Sequence, residues 1–183
     1  MIIETAELDT PIGPLVLAAR GGKLCAVGFD RDWSRVQAML RRRFPEGELR
    51  RVEDPAGVVT RLRAYFDGDL TALDAIPVDL GGTPFQAKVW NALRNIPAGQ
   101  TMSYRDLALA IGEPKAVRAV GLANGANPVA IVVPCHRVIG ADGSLTGYGG
   151  GIERKRWLLA HEASVVGFTA TTTAPRPTGA RER

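Results

Sequence analysis

The residues best able to do chemistry stand side by side. Cys135 and His136 lie within Pro134-Cys135-His136-Arg137-Val138, and the chain holds only one other cysteine, Cys25, and one other histidine, His161. A free thiol titrates near 8.5, so only a few per cent of it is thiolate at neutral pH, and a nucleophilic cysteine needs a base or cationic surroundings. His136 is the base at hand. Neighbours in an extended chain point to opposite sides, so the pair needs a bent backbone or a bridging water to pass a proton. The imidazole needs an acceptor to orient it, and Glu162, Asp142 and Glu153 are the carboxylates on offer in this region. The run 127–133, apolar after Asn127, leads into Cys135 and would hold the thiol in a buried segment beside polar groups. Cys25, in Leu24-Cys25-Ala26-Val27, reads as a small core residue.

A structural zinc would require Cys25, Cys135, His136 and His161 together, at spacings unlike a finger or ribbon, so no metal is expected. After the cysteine, residues 140–151 carry six glycines in twelve positions, with Tyr148 among them. Backbone of this kind can approach a planar ligand closely and offer it amides. It is not a phosphate loop, because neither a following Lys-Ser/Thr nor a G-x-G-x-x-G opening a helix is present. On the residues alone, two classes compete. One is a cysteine hydrolase built on Cys135, His136 and Glu162, and the other is a helix-turn-helix regulator in which Cys135 is structural.

The elements that must position these groups follow from pattern. Over residues 2–29, short apolar runs separated by Gly13-Pro14 and Gly21-Gly22 predict a small antiparallel sheet. Trp33, Val36, Met39 and Leu40 repeat at helical spacing, as do Val58, Leu62, Tyr65 and Phe66, before a short possible strand at 76–80. Residues 1–80 therefore read as an α+β domain. Gly81-Gly82 breaks the pattern, and Thr83-Pro84-Phe85-Gln86 opens a mainly helical domain, 81–167, with a capping box and a proline at the first helical position. Pro97-Ala98-Gly99 ends that helix. Ser103-Tyr104-Arg105-Asp106 caps the next, Gly112 closes it, and a third helix is expected to begin near Pro114. The last two form a helix-turn-helix candidate offering Lys115, Arg118 and Asn124 to nucleic acid. A helix over about 152–163 carries Glu162, and residues 168–183, rich in Thr, Ala, Pro and Arg, are expected to be a disordered tail.

The 183 residues are 45% apolar, enough to fill a core, and the net charge of +4 permits a polyanionic partner without specifying one. The same charge leaves Arg41-Arg42-Arg43 reading as a solvated helix face. The N-terminus has no signal-peptide pattern, and no apolar stretch approaches the ~20 residues needed to span a bilayer. A cytoplasmic protein without membrane contact is expected.

Pro134-Cys135-His136-Arg137-Val138, preceded by Asn127-Pro128 and by Arg118-Ala119-Val120-Gly121, resembles the active-site region of the O6-alkylguanine-DNA alkyltransferases. The match runs from about residue 83 to 162, while the N-terminal half resembles that family's α+β domain loosely. The resemblance implies irreversible, single-turnover transfer of an alkyl group from O6-alkylguanine in duplex DNA to Cys135, with O4-alkylthymine as a second candidate lesion and no cofactor. It implies His136 as the base acting through a water, Glu162 as its orienting acid and Asn127 as a brace of the turn. Arg118 would fill the space left by the rotated nucleotide, and Ala119 lies beside it on a helix set in the minor groove. Tyr104 would crowd the 3′ phosphate and bond the extruded guanine. The carbonyls of Cys135 and Val138 and the amide of Gly149 would read the base, with Tyr148 as a pocket wall. The mammalian members' zinc is not expected, since the N-terminal half holds Cys25 alone and no histidine. The chain looks like the stand-alone repair type without a second methyl-sensing domain. A monomer is expected, with clustering along DNA as a further option.

Overall fold

The computed structural model describes the backbone of residues 1–172 and the side chains through residue 167. Its N-terminal half is a four-stranded sheet flanked by helices. Strands β1 (Ile2–Leu8), β2 (Leu15–Arg20) and β3 (Lys23–Phe29) form the expected antiparallel meander, turning at Gly13 and at Gly21-Gly22, all three with positive φ. The order is β3-β2-β1-β4, and β4 (Glu48–Arg51) lies parallel to β1. The antiparallel sheet expected over 2–29 is present, and β4 adds to it a parallel edge strand that the sequence did not signal. The sequence Glu-Leu-Arg-Arg has almost no apolar residue to signal a strand, and it forms the outer edge of the sheet, where polar side chains can stay in water. Nor is 76–80 a strand. It contributes one bridge, Val78 to Leu24, and Pro77, which has no N–H, cannot extend a ladder.

Helix α1 (Trp33–Arg43) lays Val36 and Leu40 on one face of the sheet, against Ile3, Ala18, Cys25 and Ala26. The other face has more to cover. Leu15 and Leu17 of β2 and Leu24 of β3 pack with Val58, Leu62 and Tyr65 of α2 (Val58–Phe66), and this cluster continues without a break into Val89, Leu93, Leu107, Val129, Cys135 and Leu158. The two halves thus share one core.

Gly81 and Gly82, at φ +59° and +81°, turn the chain into α3 (Pro84–Leu93). Its N-terminus is the full capping box expected: the Gln86 amide donates to Thr83 Oγ1 at 3.2 Å and the Thr83 amide to Gln86 Oε1 at 2.9 Å. Strand β5 (Met102–Ser103) runs straight into α4 (Tyr104–Ala110), where Ser103 Oγ accepts the Asp106 amide at 3.0 Å. Gly112, at φ +74°, closes α4 in a Schellman motif: the Glu113 amide reaches the Ala108 carbonyl at 2.9 Å and the Gly112 amide that of Leu109 at 3.0 Å. This stop uses residues 111–116 as a turn, so α5 (Val117–Gly125) begins three residues later than Pro114. Strand β6 (Val138–Ile139) pairs in parallel with β5. Finally, α6 (Ile152–Thr172) extends past the expected end near Ala163, because no proline interrupts it before residue 175 and Gly167 costs only about 1 kcal/mol inside a helix. Of the expected tail, residues 168–172 continue α6, and 173–183 lie outside the described residues.

Candidate active site

The two short strands do the positioning. Tyr104 follows β5 directly, Cys135-His136-Arg137 form one 3-10 turn directly before β6, and the Met102–Val138 and Ser103–Ile139 pairings hold both ends side by side. The approach to the turn is tightly bent. The Asn127 side chain donates to the Val133 carbonyl at 2.8 Å and accepts the Val129 amide at 2.9 Å, while the Val133 amide closes on the Val129 carbonyl at 3.0 Å. Inside that loop Ile131 is forced to φ +72°, a left-handed conformation costly for a β-branched residue. Asn127 is thus placed to hold a strained turn closed.

Cys135 is 7% exposed and opens on a cavity of about 390 Å³ that is also lined by Tyr104, Asn124, Asn127, Tyr148 and Gly149. Phe29, Val36 and Met39 from the N-terminal half form its far wall. His136 is fully buried behind the thiol. Its Nε2 lies 2.8 Å from Glu162 Oε1, and its Nδ1 has no hydrogen-bond partner, so thiol and imidazole do not touch directly. Burial pushes the His136 pKa down against the opposing pull of Glu162, and it pushes the Cys135 thiol up against hydrogen bonding by Asn127 and the charge of Lys155. Burial alone would raise the Glu162 carboxyl, but hydrogen bonds from His136 and Arg137, and their charges, hold it far below the usual carboxylate range. Glu162 is therefore ionised and can only accept. The proton shared with His136 then sits on Nε2, which leaves the Nδ1 lone pair of neutral imidazole free to take a proton.

Three groups at this site escape a sequence reading. Arg137 is buried and binds Glu162 in a fork, Nε to Oε2 at 2.9 Å and Nη2 to Oε1 at 2.8 Å, with Nη1 on the Ile96 carbonyl at 2.6 Å. Tyr65, from α2, donates its hydroxyl to Glu162 Oε1 at 2.7 Å. Lys155, wholly buried, donates to the carbonyls of Val138 at 2.6 Å, Thr146 at 3.1 Å and Gly147 at 3.4 Å, pinning the glycine loop to β6. A signal existed for Lys155, since Lys155, Leu158 and Glu162 recur at i, i+3, i+7 on one helix face. Tyr65 reads only as core.

The remaining candidates divide. Tyr104 sends its hydroxyl to the Thr146 carbonyl at 3.1 Å, and Tyr148 keeps an unpartnered hydroxyl against the edge of Phe29. Lys115, Arg118 and Ala119 are exposed on the turn and first residues of α5, 8 to 12 positions before Asn127. Asn124 is a correction. It is 4% exposed, turned inward with Nδ2 3.4 Å from the Cys135 carbonyl, so it belongs to the cavity wall and not to the outer face of α5. The reason is phase: Val120, Ala123 and Asn124 share the buried side of α5, opposite Arg118 and Leu122. The Cys135 carbonyl already accepts two protein donors, the Val138 amide and Asn124 Nδ2, while the Val138 carbonyl accepts Lys155 Nζ. Cys25 lies in the smaller cluster under α1, apart from Cys135.

A buried thiol next to a histidine held on an ionised carboxylate, beneath a helix-turn-helix, is an arrangement able to serve a cysteine nucleophile. Comparison with known proteins gives the family. Residues 84–164 match the 6-O-methylguanine DNA methyltransferase DNA-binding domain, and residues 4–80 match the ribonuclease-like domain of the same proteins. The chain belongs to the 6-O-methylguanine DNA methyltransferase family. It is 48% identical over 159 residues to the methylated-DNA--protein-cysteine methyltransferase of Salmonella typhimurium, covering 85% of this chain and 93% of that one. It is 50% identical over 166 residues to that of Mycobacterium tuberculosis, covering 89% and 94%. Among solved structures, Mycobacterium tuberculosis OGT in complex with DNA superposes with a TM-score of 0.76 at 48% identity, covering 90% of this chain and 94% of that one. The O6-methylguanine-DNA methyltransferase of the archaeon Pyrococcus kodakaraensis gives 0.63 at 28% identity, covering 87% and 98%.

Proposed function

We propose that this chain repairs O6-alkylguanine in duplex DNA by taking the alkyl group onto Cys135, once per molecule. The observation that carries the reading is the buried Cys135 at a base-sized cavity, backed by a neutral His136 whose Nε2 is fixed on ionised Glu162. The thiol gives its proton, through a water, to His136 Nδ1. The Sγ–carbon bond forms as the carbon–O6 bond breaks, and the electron pair stays on guanine, which takes a proton back. A thioether has no easy hydrolytic exit, so nothing turns over.

A stacked base cannot present its alkyl carbon to a buried sulfur, so the nucleotide must leave the helix, at a cost of a few kcal/mol. Arg118, exposed on α5, offsets part of that cost by entering the gap, with Ala119 beside it against the minor groove and Lys115 on a phosphate. Tyr104 and Tyr148 hold the extruded base, and the Gly149 amide serves O6. The protein acts as a monomer, in the cytoplasm, where the thiol stays reduced; among the described residues no helix is long and apolar enough to cross a membrane. Binding is salt-sensitive and nearly indifferent to sequence.

Intact mass after mixing with excess O6-methylguanine duplex tests this. The expected result is one added methylene, on the Cys135 peptide, reached once and never exceeded. Cys135→Ser should bind the duplex as the parent does and gain no mass. An unmodified parent with the lesion intact would sink the reading in favour of a lesion-sensing role.

A further inference from the structure

Glu162 carries more donors than an orienting carboxylate needs. Oε1 accepts from Tyr65 Oη at 2.7 Å, His136 Nε2 at 2.8 Å and Arg137 Nη2 at 2.8 Å, and Oε2 from Arg137 Nε at 2.9 Å and the Gly99 amide at 3.2 Å. Five donors divide one negative charge over about four lone-pair positions. Four of the five come from the C-terminal half. The fifth, Tyr65, sits 97 residues away in sequence, on the half that shows no chemistry of its own.

We propose that Tyr65 is a positioning residue of the alkyl-transfer site, its hydroxyl sharing the Glu162 carboxylate so that His136 keeps a free Nδ1 lone pair at neutral pH. This rests on the alkyl-transfer reading above. The Tyr65 ring is buried between Phe66 and His161, at centroid distances of 5.3 and 5.4 Å, and a phenylalanine ring would fill the same space. The hydroxyl is therefore surplus to packing. Burial, and then the charge of Glu162, keep that phenol firmly protonated, so it acts only as a donor. An acceptor relieved of one donor binds the remaining ones more strongly. With Tyr65 silent, Glu162 would hold an imidazolium more tightly, and His136 would stay charged, with Nδ1 blocked, to a higher pH. The other groups facing this pair are fixed: Lys155 on α6, Arg137 and Cys135 on the turn, and Tyr148 on the glycine loop. His161 Nε2 is engaged by the Tyr65 carbonyl at 2.9 Å.

The experiment measures single-turnover self-alkylation of the full chain by O6-methylguanine duplex and by free O6-benzylguanine, across about pH 5 to 9. Tyr65→Phe should move the midpoint of the acid limb up by about half a pH unit or more with both substrates, leaving duplex affinity unchanged. Phe66→Leu, which disturbs the same packing without touching Glu162, should leave the midpoint in place. A 3-fluorotyrosine placed at position 65 donates more strongly and should move the midpoint down, which decides the matter even if the phenylalanine variant folds poorly. Superimposable profiles for all forms, or an equal shift in Phe66→Leu, would overturn the proposal. A parent chain that gains no alkyl group would instead overturn the functional reading itself, so the two failures are distinct.

Discussion

At the scale of single residues, the site is a buried ion cluster whose members have few substitutes. Glu162→Gln keeps the volume but leaves the Arg137 guanidinium buried without its counter-charge, and it turns an amide donor on Tyr65, His136 or Arg137. The expected cost is about 3 kcal/mol or more, read by urea unfolding, with transfer slowed about a hundredfold. Asn127→Ala removes two hydrogen bonds that hold Ile131 at φ +72°, and it should cost about 2 kcal/mol and slow transfer by loosening the Cys135 turn. At this scale the sequence is most readable where function is local. Cys135, His136 and Asn127 lie within ten positions, and the motif that holds them announces itself. Glu162 could be chosen among three carboxylates only through the resemblance. Lys155 showed itself only through the helix face it shares with Leu158 and Glu162, and Tyr65 was illegible because nothing in a tyrosine within an apolar helix face says that a distant carboxylate will meet it.

At the scale of elements, the glycine loop is held less by itself than by what lies across from it. Arg154, in the first turn of α6, donates from Nε to the Ile12 carbonyl at 2.6 Å and from Nη1 to the Gly150 carbonyl at 3.0 Å, and its guanidinium lies 4.1 Å over the Phe29 ring. The β1–β2 turn and the end of β3 thereby clamp the loop that carries Tyr148 and Gly149. Gly150 has no room for a side chain, since an added Cβ would fall 2.2 Å from the Phe29 ring. Gly150→Ala should cost about 2 kcal/mol in thermal unfolding and slow transfer from DNA. Reaction of Cys135 with a small alkylating reagent, which needs no loop, should be spared. Caps and stops were legible because they are short-range: Thr83, Gln86 and Gly112 do what their spacing implies. Strand β4 was not, because its partner β1 supplies the order that Glu-Leu-Arg-Arg lacks. The start of α5 was displaced because the Schellman stop at Gly112 consumes the residues that Pro114 would have opened with.

At the scale of the whole molecule, pH acts through the buried groups. Acidification below about pH 6.5 protonates His136 in the unfolded chain before the folded one, and below about pH 4.3 it does the same for Glu162, so stability falls on the acid side. Above about pH 8.5 the unfolded chain ionises Cys135 first, and stability falls again. Urea midpoints should therefore peak between these limits, and Glu162→Gln should flatten the acid side; an acid side of unchanged steepness in that variant would count against the assignment. The continuous core from Leu17 to Leu158 carries a different consequence. Cut between Gly81 and Gly82, the chain becomes a two-component reagent: each piece presents an unsatisfied apolar face, and the carboxylate of one waits for the phenol of the other. Mixed fragments should then regain alkyl uptake with a yield that climbs with the concentration of either piece, which would make this repair site a detector of its own assembly.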